Sequence, residues 1–203
     1  MRLRFLSILL LGVTLAAAGA PGTAGAWTRP DFELALGRTL GANDTPNDGG
    51  LSVAVAPMWT AADRAHFGVS VFADDIGTHL ATLRDPNVGT DLGVTADLHR
   101  WAWGVAWRGD LDVIQRKRWA GGLSAQMGWW RILDDVRGGS LATASDVGLA
   151  VGATVRRTLT GDHEVGVAGR WQRLFDQRNS AYRRADGYAT LALEWRWNAP
   201  RHP

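Results

Sequence analysis

The stretch that decides the fold runs from Asp146 to Trp197. Its first segment reads Asp146-Val147-Gly148-Leu149-Ala150-Val151-Gly152-Ala153-Thr154-Val155-Arg156. Every odd position there is apolar, and every even position is small, polar or charged. After Thr160-Gly161-Asp162 the alternation resumes, with Val165, Val167 and Trp171 set against Glu164, Gly166, Ala168, Arg170 and Gln172. The last segment sets Ala189, Leu191, Leu193, Trp195 and Trp197 against Tyr188, Thr190, Ala192, Glu194 and Arg196. Side chains alternate sides along a strand, so each segment is a β-strand with two unlike faces. Glycine and alanine share the charged face, while tryptophan joins valine and leucine near the strand ends. A transmembrane barrel has this distribution, with apolar residues toward lipid, polar residues toward the lumen and aromatics at the interfaces.

The first 26 residues stand apart from that pattern. Arg2 and Arg4 precede an apolar run from Phe5 to Ala18, and Ala24-Gly25-Ala26 is an A-x-A cleavage site. This is the pattern of a secretory signal peptide. Residues 1–26 are thus expected to be removed, leaving 27–203 as one domain. The whole chain has 22 Lys+Arg and 20 Asp+Glu. Without Arg2 and Arg4 the balance is neutral, and no basic stripe points to nucleic acid. There is no cysteine, hence no disulfide and no thiol for a lipid anchor. After the leader, no stretch approaches the roughly 18 apolar residues of a membrane helix. Any crossing of a bilayer is by strands.

Taken in order, Phe32, Leu34 and Leu36 alternate with Glu33, Ala35 and Gly37 as strand one. A polar loop, Gly41 to Gly50, follows. Strand two sets Leu51, Val53, Val55 and Trp59 against Ser52, Ala54, Ala56 and Thr60, and Pro57 predicts a bulge because it cannot donate to the ladder. Asp63-Arg64 is a tight turn into strand three, with Phe67, Val69 and Val71 outward. From Leu92 to Leu98 the apolar residues are even-numbered, and from Trp103 to Val113 they are odd-numbered. Such a phase change predicts a bulge or a turn at His99-Arg100. Barrels of this kind have an even number of strands, short turns at one end and longer loops at the other. Gln177 to Asp186 and Leu133 to Ala144 read as outer loops, while Thr160 to Asp162 and Ile114 to Arg118 read as turns. Parity then favours one strand over Leu92 to Val113, bulged at His99-Arg100 and joined to a long strand three across Asp85-Pro86-Asn87. The result is an all-β, antiparallel up-and-down barrel of eight strands. Ten strands are the alternative, with Thr78 to Arg84 as an extra short one.

Tryptophan supplies a ruler. Trp119 and Trp129 lie ten residues apart on one face of strand five, about 33 Å along the strand. A tilt of roughly 40–45° turns this into about 24 Å of height, matching the ~25 Å apolar band of membrane barrels. Trp59, Trp119, Trp195 and Trp197 are therefore expected at one interface and Trp101, Trp129 and Trp171 at the other, with the eleven tryptophans divided between two belts.

Gly128-Trp129-Trp130-Arg131-Ile132, Val147-Gly148-Leu149-Ala150-Val151-Gly152-Ala153, Gly169-Arg170-Trp171-Gln172-Arg173-Leu174-Phe175 and Leu193-Glu194-Trp195-Arg196-Trp197 resemble the small outer-membrane β-barrel proteins of Gram-negative bacteria. The resemblance covers nearly all of residues 27–203 and is one of pattern. It implies the outer membrane as location, outer-membrane lipid and lipopolysaccharide as surroundings, and the barrel-assembly machinery as a partner. Members of that family usually end on an aromatic residue, whereas Asn198 to Pro203 follow Trp197 here. A monomer without cofactor is expected.

On the inward faces the alternation places Glu33, Asp97, Arg108, Asp110, Asp112, Asp146, Arg156, Glu164, Arg170, Gln172, Glu194 and Arg196. An eight-stranded barrel is just wide enough for side chains to fill it, and charges that lose water there must pair. The favoured reading is a carboxylate–arginine network that fills the lumen of a protein with a structural or surface-interaction role. A narrow porin-like channel is the alternative, with Gly122, Gly148, Gly152 and Gly166 leaving room. A distant third is a hydrolase using Asp97 and His99, with Asp74-Asp75 nearby, in the manner of the omptin proteases. His66 and His163 open strands at turns, His79 lies in the outer hairpin and His202 in the tail. None has metal-ligand company, and no enzyme is expected. Arg137, Arg178, Arg183 and Arg184 in the loops suit phosphate contact.

Overall fold

The computed structural model describes residues 30–40, 49–62, 64–84, 90–136, 141–174 and 187–197. The expected leader and the loop residues 41–48, 175–186 and 198–203, with the four loop arginines and His202, lie outside the described residues. Eight strands follow in chain order: β1 Asp31–Leu40, β2 Leu51–Ala62, β3 Ala65–Arg84, β4 Asp91–Arg116, β5 Trp119–Val136, β6 Leu141–Thr160, β7 His163–Leu174 and β8 Gly187–Trp197. Each pairs antiparallel with its chain neighbours, and β1 pairs with β8 to close the barrel. The eight-strand reading holds, and Thr78 to Arg84 belongs to β3. No helix long and apolar enough to cross a membrane occurs among the described residues.

Register fixes the tilt. Following partners once around from Leu40 leads through Ala189, Trp171, Val151, Ala125, Gly109, Phe67 and Trp59. The β1–β2 ladder sets that last residue opposite position 30, ten residues from the start. A stagger of this size over eight strands demands a tilt of roughly 35–45°. The start of β1, the end of β8 and the turns at Arg64, Lys117-Arg118 and Gly161-Asp162 share one end, the turn end. The opposite, loop end is uneven. Strands β3 to β6 have 18 to 26 residues, against 10 to 12 for β1, β2, β7 and β8. One side of the wall therefore rises well above the other. The expected loop Leu133 to Ala144 is largely the top of β5 and β6, because strand pairing continues to Asp135↔Leu141.

Two expected irregularities fall elsewhere. Pro57 pairs opposite Phe32 of β1, and the β2–β3 register is the same at Val55↔Val71 as at Met58↔Gly68. Proline drops its donor without adding a residue, so no bulge results. The shift in that ladder lies between Thr60 and Ala62. The bulge expected at His99-Arg100 sits across the ladder in β3: Asp75 pairs with Trp101 and Gly77 with Arg100, leaving Ile76 as the extra residue. Gly77 supplies the left-handed φ of 88° that a bulge of this kind wants. Strand β4 itself runs in unbroken register against β5 from Leu98↔Val136 to Trp101↔Leu133. Its faces do not exchange. Leu98, Arg100 and Ala102 all turn inward and are buried.

Candidate functional site

The inward faces of the eight strands meet in three layers. Nearest the middle, Arg108, Arg170 and Arg196 interlock with Glu33, Asp110 and Glu194, all buried. Arg108 Nε and Nη2 each donate at 2.8 Å to Asp110, and Arg108 also grips Glu33 through both terminal nitrogens. Arg196 Nη2 bridges Glu33 at 3.0 Å and Asp110 at 3.1 Å. Arg170 pairs with Glu194, whose other oxygen accepts from Thr154 at 2.8 Å. Three cations match three carboxylates drawn from β1, β4, β7 and β8. The bidentate fork of arginine suits this exchange.

Toward the turn end, Arg156 pairs with Asp112 and lies 3.9 Å from Glu164. His66 reaches inward as well, its Nε2 3.7 Å from Asp112 and its Nδ1 3.2 Å from Thr60 Oγ1. Arg156 Nε and Nη1, Arg170 Nε and Arg196 Nε have no hydrogen-bond partner among the described residues.

Toward the loop end the filling becomes apolar. Phe72, Ile76, Ala102, Ala106, Trp130, Ile132, Leu174 and Tyr188 form one buried cluster. Trp130 is 0% exposed, packs 5.0 Å from Phe72 between ring centres, and donates Nε1 to Gln172 at 3.0 Å. Asp74 accepts from Ser52 at 2.6 Å, Tyr188 at 2.7 Å and Gln172 at 3.2 Å. Above this layer, Arg100 Nε donates to Asp134 at 2.7 Å.

Glycine gives space to these side chains. A Cβ on Gly148 would stand 2.9 Å from Trp130, one on Gly152 2.8 Å from Arg170 Cγ, one on Gly166 2.7 Å from Arg156 Cγ and one on Gly122 3.1 Å from Asp112 Oδ1.

Of the residues read as inward, Glu33, Arg108, Asp110, Asp112, Asp146, Arg156, Arg170, Gln172, Glu194 and Arg196 are buried in the lumen, and Glu164 stands half-buried at the turn-end mouth. Asp97 does not belong with them. It is exposed, on the hairpin that β3 and β4 carry beyond the rim. Without a slip in β4, its odd position keeps the outward face. The carboxylate beside His99 is Asp75, 3.0 Å from Nε2, while Thr78 Oγ1 lies 3.0 Å from Nδ1. Asp74 turns the other way, into the lumen.

Outward, the expected interface aromatics cluster by end. At the turn end Trp195 stacks on Trp197 at 4.6 Å and lies 5.9 Å from His163, and Trp59 stacks on Phe67 at 5.9 Å. At the loop end Trp129 meets Trp103 edge-on at 5.4 Å, and Trp101 lies 5.2 Å from His99. Trp119 and Trp171 are exposed on the same outer surface. The two belts do not take all the tryptophans, since Trp130 fills the lumen and Trp107 lies, 68% exposed, midway along β4.

The described outer wall is a cylinder of leucine, valine and tryptophan around a polar interior, closed by eight antiparallel strands. This is an eight-stranded outer-membrane-type β-barrel. Its fold is similar to that of Neisserial surface protein A (NspA), with a TM-score of 0.58 at 13% identity over 83% of this chain and 95% of that one. The N-terminal β-barrel domain of Pseudomonas aeruginosa OprF aligns with a TM-score of 0.54 at 10% identity, over 82% of this chain and 94% of that one. No protein-family model and no curated protein sequence matches the chain.

The barrel holds inward residues that sequence reading missed, namely His66, Asp74, Arg100, Trp130 and Asp134, while Tyr188 lies on the inward face where the alternation put it. Asp134 and Trp130 were within reach. Even positions from Gln126 through Gly128, Trp130 and Ile132 to Asp134 keep one face, had the strand been carried past Leu133.

Proposed function

We propose that this protein is exported to the outer membrane and serves there as a non-conducting structural or surface-interaction barrel. The turn end faces the periplasm and the tall β3–β6 wall faces outward. The observation that carries the reading is the filled lumen. An apolar layer around Phe72, Trp130 and Tyr188 lies directly on a neutral hexad of three arginines and three carboxylates. An ion entering such a barrel must displace a buried pair, and breaking one costs about 3–5 kcal/mol.

In this reading the barrel is a monomer folded by the assembly machinery, and lipopolysaccharide surrounds its outer half. Of the residues in the hydrolase alternative, Asp97 is exposed on the outer hairpin, and the carboxylate 3.0 Å from His99 Nε2 is that of Asp75. The β3–β6 wall supplies a rigid platform, and binding in barrel proteins is carried where loops stand on such scaffolds.

Conductance across a planar bilayer tests the reading. The barrel, inserted and shown folded by a heat-modifiable gel shift, should give no discrete channel events. Regular unitary steps would establish the narrow-channel alternative.

A further inference from the structure

The turn between β4 and β5 concentrates positive charge. Arg116, Lys117 and Arg118 form its tip, and all three are exposed. In β4 the register shifts between Asp112 and Ile114. That bulge reverses the alternation, so Ile114 turns outward and Arg116 stands opposite Trp119. On the other side of Trp119 is Arg157, whose guanidinium carbon lies 5.5 Å from the centre of the indole ring. Thr158 N donates to Arg118 O at 2.8 Å, fastening the tip to β6, and Asp112 N donates to Arg64 O at 2.8 Å, bringing the β2–β3 turn alongside. Arg64, Arg116, Lys117, Arg118 and Arg157 thus lie on three neighbouring strand ends, all exposed. The nearby carboxylates of β4, Asp110 and Asp112, are turned inward and engaged by Arg108, Arg196 and Arg156.

Lys117 adds an independent observation. It has φ 52°, the one positive value at a non-glycine residue among those described. Glycine or asparagine fits that conformation with less strain. A lysine flanked by two arginines keeps the tip cationic at a conformational cost, and such outliers cluster where function holds them.

We propose that this basic turn, with Trp119 and Arg157, is a binding site for the headgroups of anionic phospholipid in the leaflet at the turn end. The inference rests on the membrane reading above. Ile114 and Trp119, both more than half exposed, sit on the barrel side of the cations. They enter the bilayer edge and leave the charges at headgroup depth, where aromatic residues and basic side chains meet membranes.

The test is to insert the barrel into nanodiscs of phosphatidylcholine carrying a minority of phosphatidylglycerol, release it into mild detergent and count retained lipids by native mass spectrometry. Phosphatidylglycerol should be retained well above its share. Each cation near an anionic surface is worth about a fivefold preference. Lys117→Asn with Arg118→Gln should therefore reduce the enrichment by roughly tenfold or more, and asparagine keeps the turn conformation accessible. Arg131→Gln with Arg173→Gln, removing equal charge from the loop half, should leave it unchanged. Retention in proportion to the lipid mixture, an unaffected turn variant or an equal loss in the control would overturn the site. Insertion into phosphatidylcholine alone, read by the gel shift, separates the outcomes. A barrel that inserts without headgroup preference refutes only the site, whereas one that does not insert refutes the membrane reading as well.

Discussion

Arg100 and Asp134 are cross-strand neighbours on β4 and β5, and their side chains pair inside the wall at 2.7 and 3.3 Å with almost no exposure on either. The pair crowns the apolar layer, so each partner depends on the other for solvation. Asp134→Ala leaves a buried guanidinium without its carboxylate and should lower unfolding stability by about 3–5 kcal/mol. Replacing both residues, Arg100→Met with Asp134→Leu, should recover most of that loss. Urea unfolding in phospholipid vesicles measures both, and equal destabilisation by the single and double changes would refute the pairing argument.

Gly148 and Trp130 are a second coupled pair. A methyl group on Gly148 meets Trp130 Cε3 at 2.9 Å and the Arg173 carbonyl oxygen at 3.0 Å. Gly148→Ala should therefore cost about 1–3 kcal/mol by overpacking. In a Trp130→Phe background the smaller ring relieves the first contact, and the cost of the alanine should fall. A double-mutant cycle reads the coupling directly. Strict additivity would mean that the strain arises at the backbone contact alone.

Leu123 lies between Trp119 and Trp129 on the outer face of β5 and is 56% exposed. In water an arginine there would be nearly neutral. In a bilayer it sits close to the midplane, where arginine on the lipid face costs about 2–4 kcal/mol. Leu123→Arg should thus destabilise the vesicle-inserted barrel by that amount. No loss would place the apolar cylinder somewhere other than lipid.

The barrel itself was written in plain alternation, and parity was enough to find all eight strands. The errors share a physical origin. Leu92, Val94 and Leu98 lie where β3 and β4 rise beyond the barrel, and there apolar residues no longer mark the lipid side. Leu98 instead caps the interior. Reading its face as outward created a phase change at His99-Arg100 and carried Asp97 into the lumen. The actual bulge at Ile76 is a property of the opposite strand, visible only once Gly77 is paired with Arg100. The hexad was legible because charge at an inward position has few other uses. The apolar layer was not, because Trp130 and Phe72 resemble lipid-facing residues until their parity is counted. Tyr188 and Asp74 find each other across a sequence gap that no local pattern spans.

The seam between β1 and β8 joins Phe32 to Trp197, residues 165 positions apart. Every other ladder links strands that follow one another directly in the chain. Seven hairpin contacts can therefore assemble locally, while the eighth waits for the whole chain, and contacts between distant residues form slowly. Until that moment two strand edges remain open, each a template for pairing with another molecule. The hexad spans this gap, because Glu33 on one edge strand shares Arg196 with the other. Buried charge here acts as a clasp, holding shut the last seam to form and the first from which the barrel would unzip.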